Sequence, residues 1–388
     1  MRYALRVALL PFVLAAGAAP AFAQQGYPVK PIRLVVPLAR GGRTGSRRGG
    51  WCWGGDGALP PGLWRRAQLW IALVLAATSS FFAVASFAQP YPSKPVRLVV
   101  PLAPGGPSDI LARSMAAKLT EGMKQTVFVE NRTGAGGTIG IDNAAKSPGD
   151  GYTMLLVAVA NYTINASLYA KLPYNPHKDL APVSILAGAP YILVVHPTLP
   201  VRSVKELIAL DKKRPGELNY SSGGTGTGPH LATEVFKANT GMTAVHIAYK
   251  GAGPALTDLV AGHVQFQLAN MIASLPFVKN NRLRGIAVSG SKRSRAVPGL
   301  PTILESGVKG LEEVGGHMIM VPAATPKEIV ARLHQELAKV LEQPDVKARL
   351  EGEGAEIFGT SPEKSAAVIR SEMERMAKII KQLGLQAN

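Results

Sequence analysis

Short apolar runs alternate with helical patterns from residue 96 to residue 383, and glycine-rich turns separate many of them. The run 96–102 (VRLVVPL) is almost wholly apolar and ends at Pro and Gly, as a buried parallel strand does. A helical pattern follows from Ser108, with Ile110, Leu111, Met115 and Leu119 on one face. Strand-like segments recur at 125–130, 153–159, 191–196, 245–248, 264–268 and 283–289, with helices predicted at 141–146, 204–210, 230–240 and 254–261. This alternation constrains the chain to an α/β fold. Ser203 with Glu206 three residues on predicts a capped helix, and Thr325-Pro326 predicts another running to Leu341. Residues 362–383 read as a long amphipathic helix. A crossing near 190–200 and a return near 310–322 predict two lobes: 89–190 with 316–388, and 191–315.

The N-terminal region repeats itself. Arg2 and Arg6, an apolar stretch and Ala21-Phe22-Ala23 form one export signal; Arg65 and Arg66, a second apolar stretch and Ser86-Phe87-Ala88 form another. After each comes the same strand, YPVKPIRLVVPLARGG at 27–42 and YPSKPVRLVVPLAPGG at 91–106, with 13 of 16 positions identical. The first copy breaks off into a Gly/Arg/Trp-rich stretch that cannot complete a domain. Residues 1–64 therefore read as a remnant or an over-extended start, and 65–88 as a cleaved signal leading to the periplasm. Anchoring by 67–88 is the other reading.

The formal charge of +18 invites a nucleic-acid reading, but its distribution argues against one. The first 89 residues hold 10 of the 43 Lys and Arg and only 1 of the 25 Asp and Glu, and the rest is scattered without interleaved aromatics. Cys52 is the single cysteine, so no intrachain disulfide forms. No metal-ligand spacing, phosphate loop or GxSxG elbow occurs, and no cofactor or enzyme activity is expected. Ser221, Ser222, His230, His246 and Asp258 supply triad residue types without the sequence frame of a triad.

Three loops are expected to follow strands and precede helices: Pro104-Gly105-Gly106-Pro107-Ser108-Asp109, Asn161-Tyr162-Thr163 within 160–165, and Ser222-Gly223-Gly224-Thr225 with Thr227. Loops of this kind sit at the carboxyl edge of an open sheet, where ligands bind. Their main-chain N–H groups, hydroxyls and helix N-termini suit a carboxylate. Asp109 reads as a loop brace unless it meets an amino group. His230, at the next helix start, is a ligand candidate whose plainer role is bracing the loop. His196, His263, His317 and His334 show no ligand spacing and read as solvated or structural.

The segments YPSKPVRLVVPLAPGGPSDILAR (91–113), VENRTGAGGTIGIDNAAKSPGDGYTMLL (129–156), YSSGGTGTGPHLATEVF (220–236) and IAYKGAGPALTDLVAGHVQF (247–266) resemble, in order, the tripartite tricarboxylate transporter substrate-binding proteins, the TctC or Bug family. The resemblance implies a periplasmic type II binding-protein fold whose first-lobe loops hold a ligand carboxylate. It also implies closure of the second lobe and delivery to small and large membrane subunits, or signalling to a sensor kinase, by a monomer. Two departures stand out: Gln265, where the family often has Asp, and LEEVGGHMIMVPAATP (311–326), where His317 and Met318 replace bulky aromatics.

Overall fold

The computed structural model describes residues 91–311 and 315–387. The leader readings for 1–64 and 65–88, and Cys52, lie outside the described residues. No helix among the described residues is long and apolar enough to cross a membrane.

The chain opens with β1 (Val96–Val100), α1 (Pro107–Met123), β2 (Val127–Asn131), α2 (Thr138–Ala145), β3 (Thr153–Ala158), α3 (Val159–Leu168) and β4 (Leu180–Ala189). It continues through β5 (Tyr191–Val195), α4 (Val204–Lys213), β6 (Asn219–Ser222), α5 (Gly228–Thr240), β7 (Val245–Ala248), α6 (Ala252–Ala261), β8 (Phe266–Asn270), α7 (Met271–Lys279) and β9 (Arg284–Val288). The last elements are β10 (Gly315–Pro322), α8 (Lys327–Glu342), α9 (Pro344–Gly352), β11 (Glu356–Ile357) and α10 (Pro362–Leu383).

Two sheets result, with strand orders β11-β4-β10-β3-β1-β2 and β7-β6-β8-β5-β9. β1 lies parallel between β2 and β3, as the βαβ pattern of its sequence requires. β10 returns from the far end of the chain and inserts antiparallel between β3 and β4. In the second sheet β6 is parallel to β7 and β8, while β5 is antiparallel to β8 and β9. β4 ends at Ala189 and β5 begins at Tyr191, so only Pro190 separates the two sheets at the first crossing. Each lobe thus has parallel strands whose carboxyl ends lead into helices.

The strands fill the cores because both of their faces are covered. Val96, Leu98, Val99 and Val100 are all fully buried. Leu111 and Met115 of α1 share one apolar cluster with Ile272 and Leu275 of α7. The predicted cap forms at α4, where Ser203 Oγ accepts from the Glu206 N–H at 3.2 Å; the return bond of the box is displaced by one residue, with Glu206 Oε2 accepting from the Arg202 N–H at 2.7 Å instead of from that of Ser203. At α8 the sequence misleads. Pro326, not Thr325, is the cap residue, and the buried Thr325 hydroxyl has no partner. Gln265 serves packing rather than cleft charge: its Oε1 accepts from the Asn219 N–H at 2.8 Å at the β6–β8 seam.

Candidate functional site

Five helices begin around one small cavity. α1 contributes Pro107 and Ser108, α3 contributes Ala160 and Asn161, α5 contributes Thr227 and Pro229, α6 contributes Ala252, and Asn270 caps α7. Each follows a strand or a strand-end loop, so the convergence comes from stacking parallel βα units in two lobes that face each other. The first N–H groups of a helix have no intrahelical acceptor, and they carry the positive end of its dipole. The cavity is about 40 Å³. That volume holds roughly three waters, so any larger guest requires the lobes to part slightly.

No charged side chain lines it; Ser108, Asn161, Tyr191, Thr227, Asn270 and His317 supply its polar side chains. The Asn270 Oδ1 is spent on the Ile272 N–H at 3.1 Å, which directs its amide NH2 elsewhere. Asn161 Oδ1 accepts from the Gly228 N–H at 3.0 Å, a bond from one lobe to the other. The lobes also meet where the Ala103 N–H donates to Lys250 O at 3.0 Å and the Tyr169 hydroxyl to Thr225 O at 3.4 Å. Close approach here depends on missing side chains. A Cβ on Gly253 would lie 2.2 Å from Pro104 O, and one on Gly136 would lie 2.1 Å from Thr225 O.

Pro107, Ser108, Asn161, Gly223 and Thr227 are the sequence candidates found on the cavity wall. The others stand behind it. Pro104, Gly105 and Gly106 pack against Gly253 and Ala252 of the opposite lobe. Asp109 is the loop brace: its carboxylate accepts from the Gly105 N–H, Arg113 Nε and Asn131 Nδ2, each at 3.0 Å. Burial alone would raise its pKa, but Arg113, Gly105 and Asn131 outweigh that and hold it below the usual carboxylate range. Asp109→Ala should therefore lower stability by about 2 kcal/mol in urea unfolding, with Asp109→Asn losing less.

The expected loop at 160–165 is already helix, because α3 starts at Val159 with no turn after β3. Helical geometry carries the Tyr162 and Thr163 side chains away from the cavity. The buried Tyr162 hydroxyl donates to Pro176 O at 2.7 Å, and the Thr163 hydroxyl donates back to Val159 O at 3.0 Å. Ser222, Gly224 and Thr225 likewise shape the third loop from behind. Ser222 Oγ lies 2.7 Å from His246 Nε2 and accepts from the Gly224 N–H at 3.1 Å, and Thr225 O takes the Tyr169 hydroxyl. His230 lies against His246 with ring centroids 4.3 Å apart and the planes tilted by 33°, and its Nδ1 accepts from the Gly226 N–H at 3.5 Å. Burial lowers the pKa of both histidines, that of His246 to about 4. The Ser222–His246 pair is no nucleophile system: Ser222 is fully buried, and Asp258 bonds Tyr249 and His263 instead of His246. Among the described residues no group of three His, Cys, Asp or Glu could hold a metal.

Residues 111–385 match the tripartite tricarboxylate transporter family receptor. The chain belongs to this family. BugT of Bordetella pertussis is 36% identical over 317 residues, covering 80% of this chain and 97% of its own. An R. palustris protein whose structure contains adipate is 37% identical, with a TM-score of 0.74 over 76% of this chain and 99% of that one. The periplasmic binding protein BugD is 32% identical, with a TM-score of 0.75 over 77% of this chain and 100% of that one. The fold is accordingly the two-lobed α/β architecture of type II periplasmic binding proteins, and the family is one of periplasmic solute-binding proteins.

Sequence reasoning missed His317 and Asn270 as wall residues. Asn270 had a usable signal, since an Asn between a strand-like run and an apolar stretch is a helix-cap pattern. His317 had none. It was expected to be solvated or structural, yet it is buried on β10 with both ring nitrogens unpartnered. A larger cavity of about 450 Å³ lies beyond Tyr191, between α3, α5 and α10, and is mostly apolar. It shares Ala160, Tyr191, Gly315 and Gly316 with the small cavity but lacks the convergence of helix starts.

Proposed function

We propose that this protein captures a small organic acid between its lobes and presents the closed complex to the small and large membrane subunits of a tripartite tricarboxylate transporter. The observation that carries the reading is the meeting of five helix N-termini at one uncharged cavity. A carboxylate there meets main-chain donors and carboxamide NH2 groups, and needs no arginine clamp. The adipate held by the R. palustris relative supports the same ligand class. Ligand bridging both lobes favours closure by contacts that exist only in the closed form. No covalent step is involved.

Export follows the same reading, with residues 65–88 removed as the signal. The mature protein should then begin at Gln89, which intact-mass measurement on periplasmic material checks. Calorimetry against mono-, di- and tricarboxylates and acidic amino acids tests capture itself. At least one acid should bind with a Kd below about 1 mM, equivalent to roughly 4 kcal/mol. Heatless mixing with every member of the panel would sink the proposal.

A further inference from the structure

We infer that His317 is a specificity-determining ligand contact that reads a second oxygen function on the captured acid, so that the site favours hydroxy-, oxo- or dicarboxylic acids over plain monocarboxylates. This inference rests on the cavity being the acid site and adds to it.

His317 sits near the start of β10, opposite Ala158 of β3 and Ala187 of β4. Small neighbours on both strands leave room for the ring. Alternation along β10 sends Met318 into the apolar cluster on the other face of the sheet, while His317 joins the cavity wall. The side chain is only 2% exposed, and neither Nδ1 nor Nε2 has a hydrogen-bond partner. Native interiors seldom leave both polar atoms of one buried side chain unpaired, because each loses its water without replacement. A guest in the cavity supplies the missing partner.

The chemistry of that guest follows from the ring and its surroundings. A neutral imidazole offers one donor and one acceptor. Burial lowers its pKa to about 4, and no charged side chain lines the cavity beside it. The polar side chains sharing its wall are Ser108, Asn161, Tyr191, Thr227 and Asn270; none carries a charge, since burial raises the pKa of the Tyr191 phenol. His317 is therefore neutral at neutral pH and contributes a directed hydrogen bond rather than a charge. The helix starts already suit the first carboxylate. The imidazole, arriving from β10, is left for another oxygen on the same molecule. An acid lacking that oxygen leaves the ring unpaired in a closed cavity, and a site built this way discriminates strongly against such an analogue.

The test compares butanoate, 3-hydroxybutanoate and succinate by calorimetry on the mature protein, on His317→Phe and on His317→Gln. The wild type should prefer one of the oxygenated acids by at least tenfold. His317→Phe should cut that preference below threefold, and His317→Gln should restore part of it. The wild type also allows a check that needs no variant: saturation with the preferred acid should shift the His317 ring resonances and raise their titration midpoint above the ligand-free value. Preference unchanged in His317→Phe, or ring resonances unmoved by a bound acid, would overturn the role of His317 while leaving acid capture intact. Failure of the wild type to bind any acid would overturn both.

Discussion

Gly253→Ala is expected to weaken acid binding by roughly 5- to 150-fold while leaving the ligand-free protein at least as stable as the wild type. Gly253 is the second residue of α6 and faces the Pro104–Gly105 turn of the opposite lobe. A methyl group there would come within 2.2 Å of Pro104 O, a main-chain atom with no flexible end to swing aside. Overpacking of this kind costs about 1–3 kcal/mol, and the closed form alone bears it. Converted at 1.4 kcal/mol per tenfold, that gives the stated range. With the lobes apart the methyl has no clash, and alanine is a better helix former than glycine by about 1 kcal/mol. Calorimetry on the acid that the wild type binds, with small-angle scattering to follow compaction on saturation, measures both halves. Wild-type affinity and compaction in the variant would show that this glycine contact plays no part in closure.

The second large effect is on stability against acid. Between pH 7 and pH 4 the closed form, in which His317 is buried, should lose about 3 kcal/mol through this residue alone. In the folded chain burial lowers its pKa to about 4, whereas an unfolded histidine titrates near 6.5. The unfolded state therefore takes the proton first. The contribution of His317 is complete above the unfolded value, falls as the pH drops below it, and is lost by the folded value. His246, also lowered to about 4 by burial and by His230, adds in the same direction. Urea unfolding at pH 7 and pH 4 measures the loss, and His317→Phe should show about 3 kcal/mol less of it. Equal losses in the two proteins would contradict the assignment. The same comparison shows that the variant folds, which the ligand-specificity test above requires.

Much of this architecture is legible in the sequence because it is local. The apolar run before Pro104, the Ser203–Glu206 cap and the helix from Pro362 to Leu383 depend on neighbours a few residues away, and each forms where its pattern predicts. The first and third glycine-rich turns are readable for the same reason. Ala160–Asn165 is not: its small polar residues look like a loop, but Thr163 closes on Val159 and Asn161 finds Gly228, so the helix starts at once. Which loop residues face the guest and which face the other lobe depends on how two lobes meet, and no spacing encodes that. His317 is the extreme case. Its surroundings come from β3 and β4, more than a hundred residues upstream, and a lone histidine in an apolar strand carries no local mark of them.

The place of β10 bears on how a chain exported as proposed above would stay unfolded until it has crossed a membrane. This strand sits between β3 and β4 in the first sheet, yet it is made after the whole of the second sheet. Until residue 315 has emerged, β3 and β4 have no seam between them and the larger lobe cannot close. Under the export proposed above, a secretion channel that threads extended polypeptide receives a chain whose topology delays its own completion, and the segment from residue 315 onward acts as the latch that ends that delay.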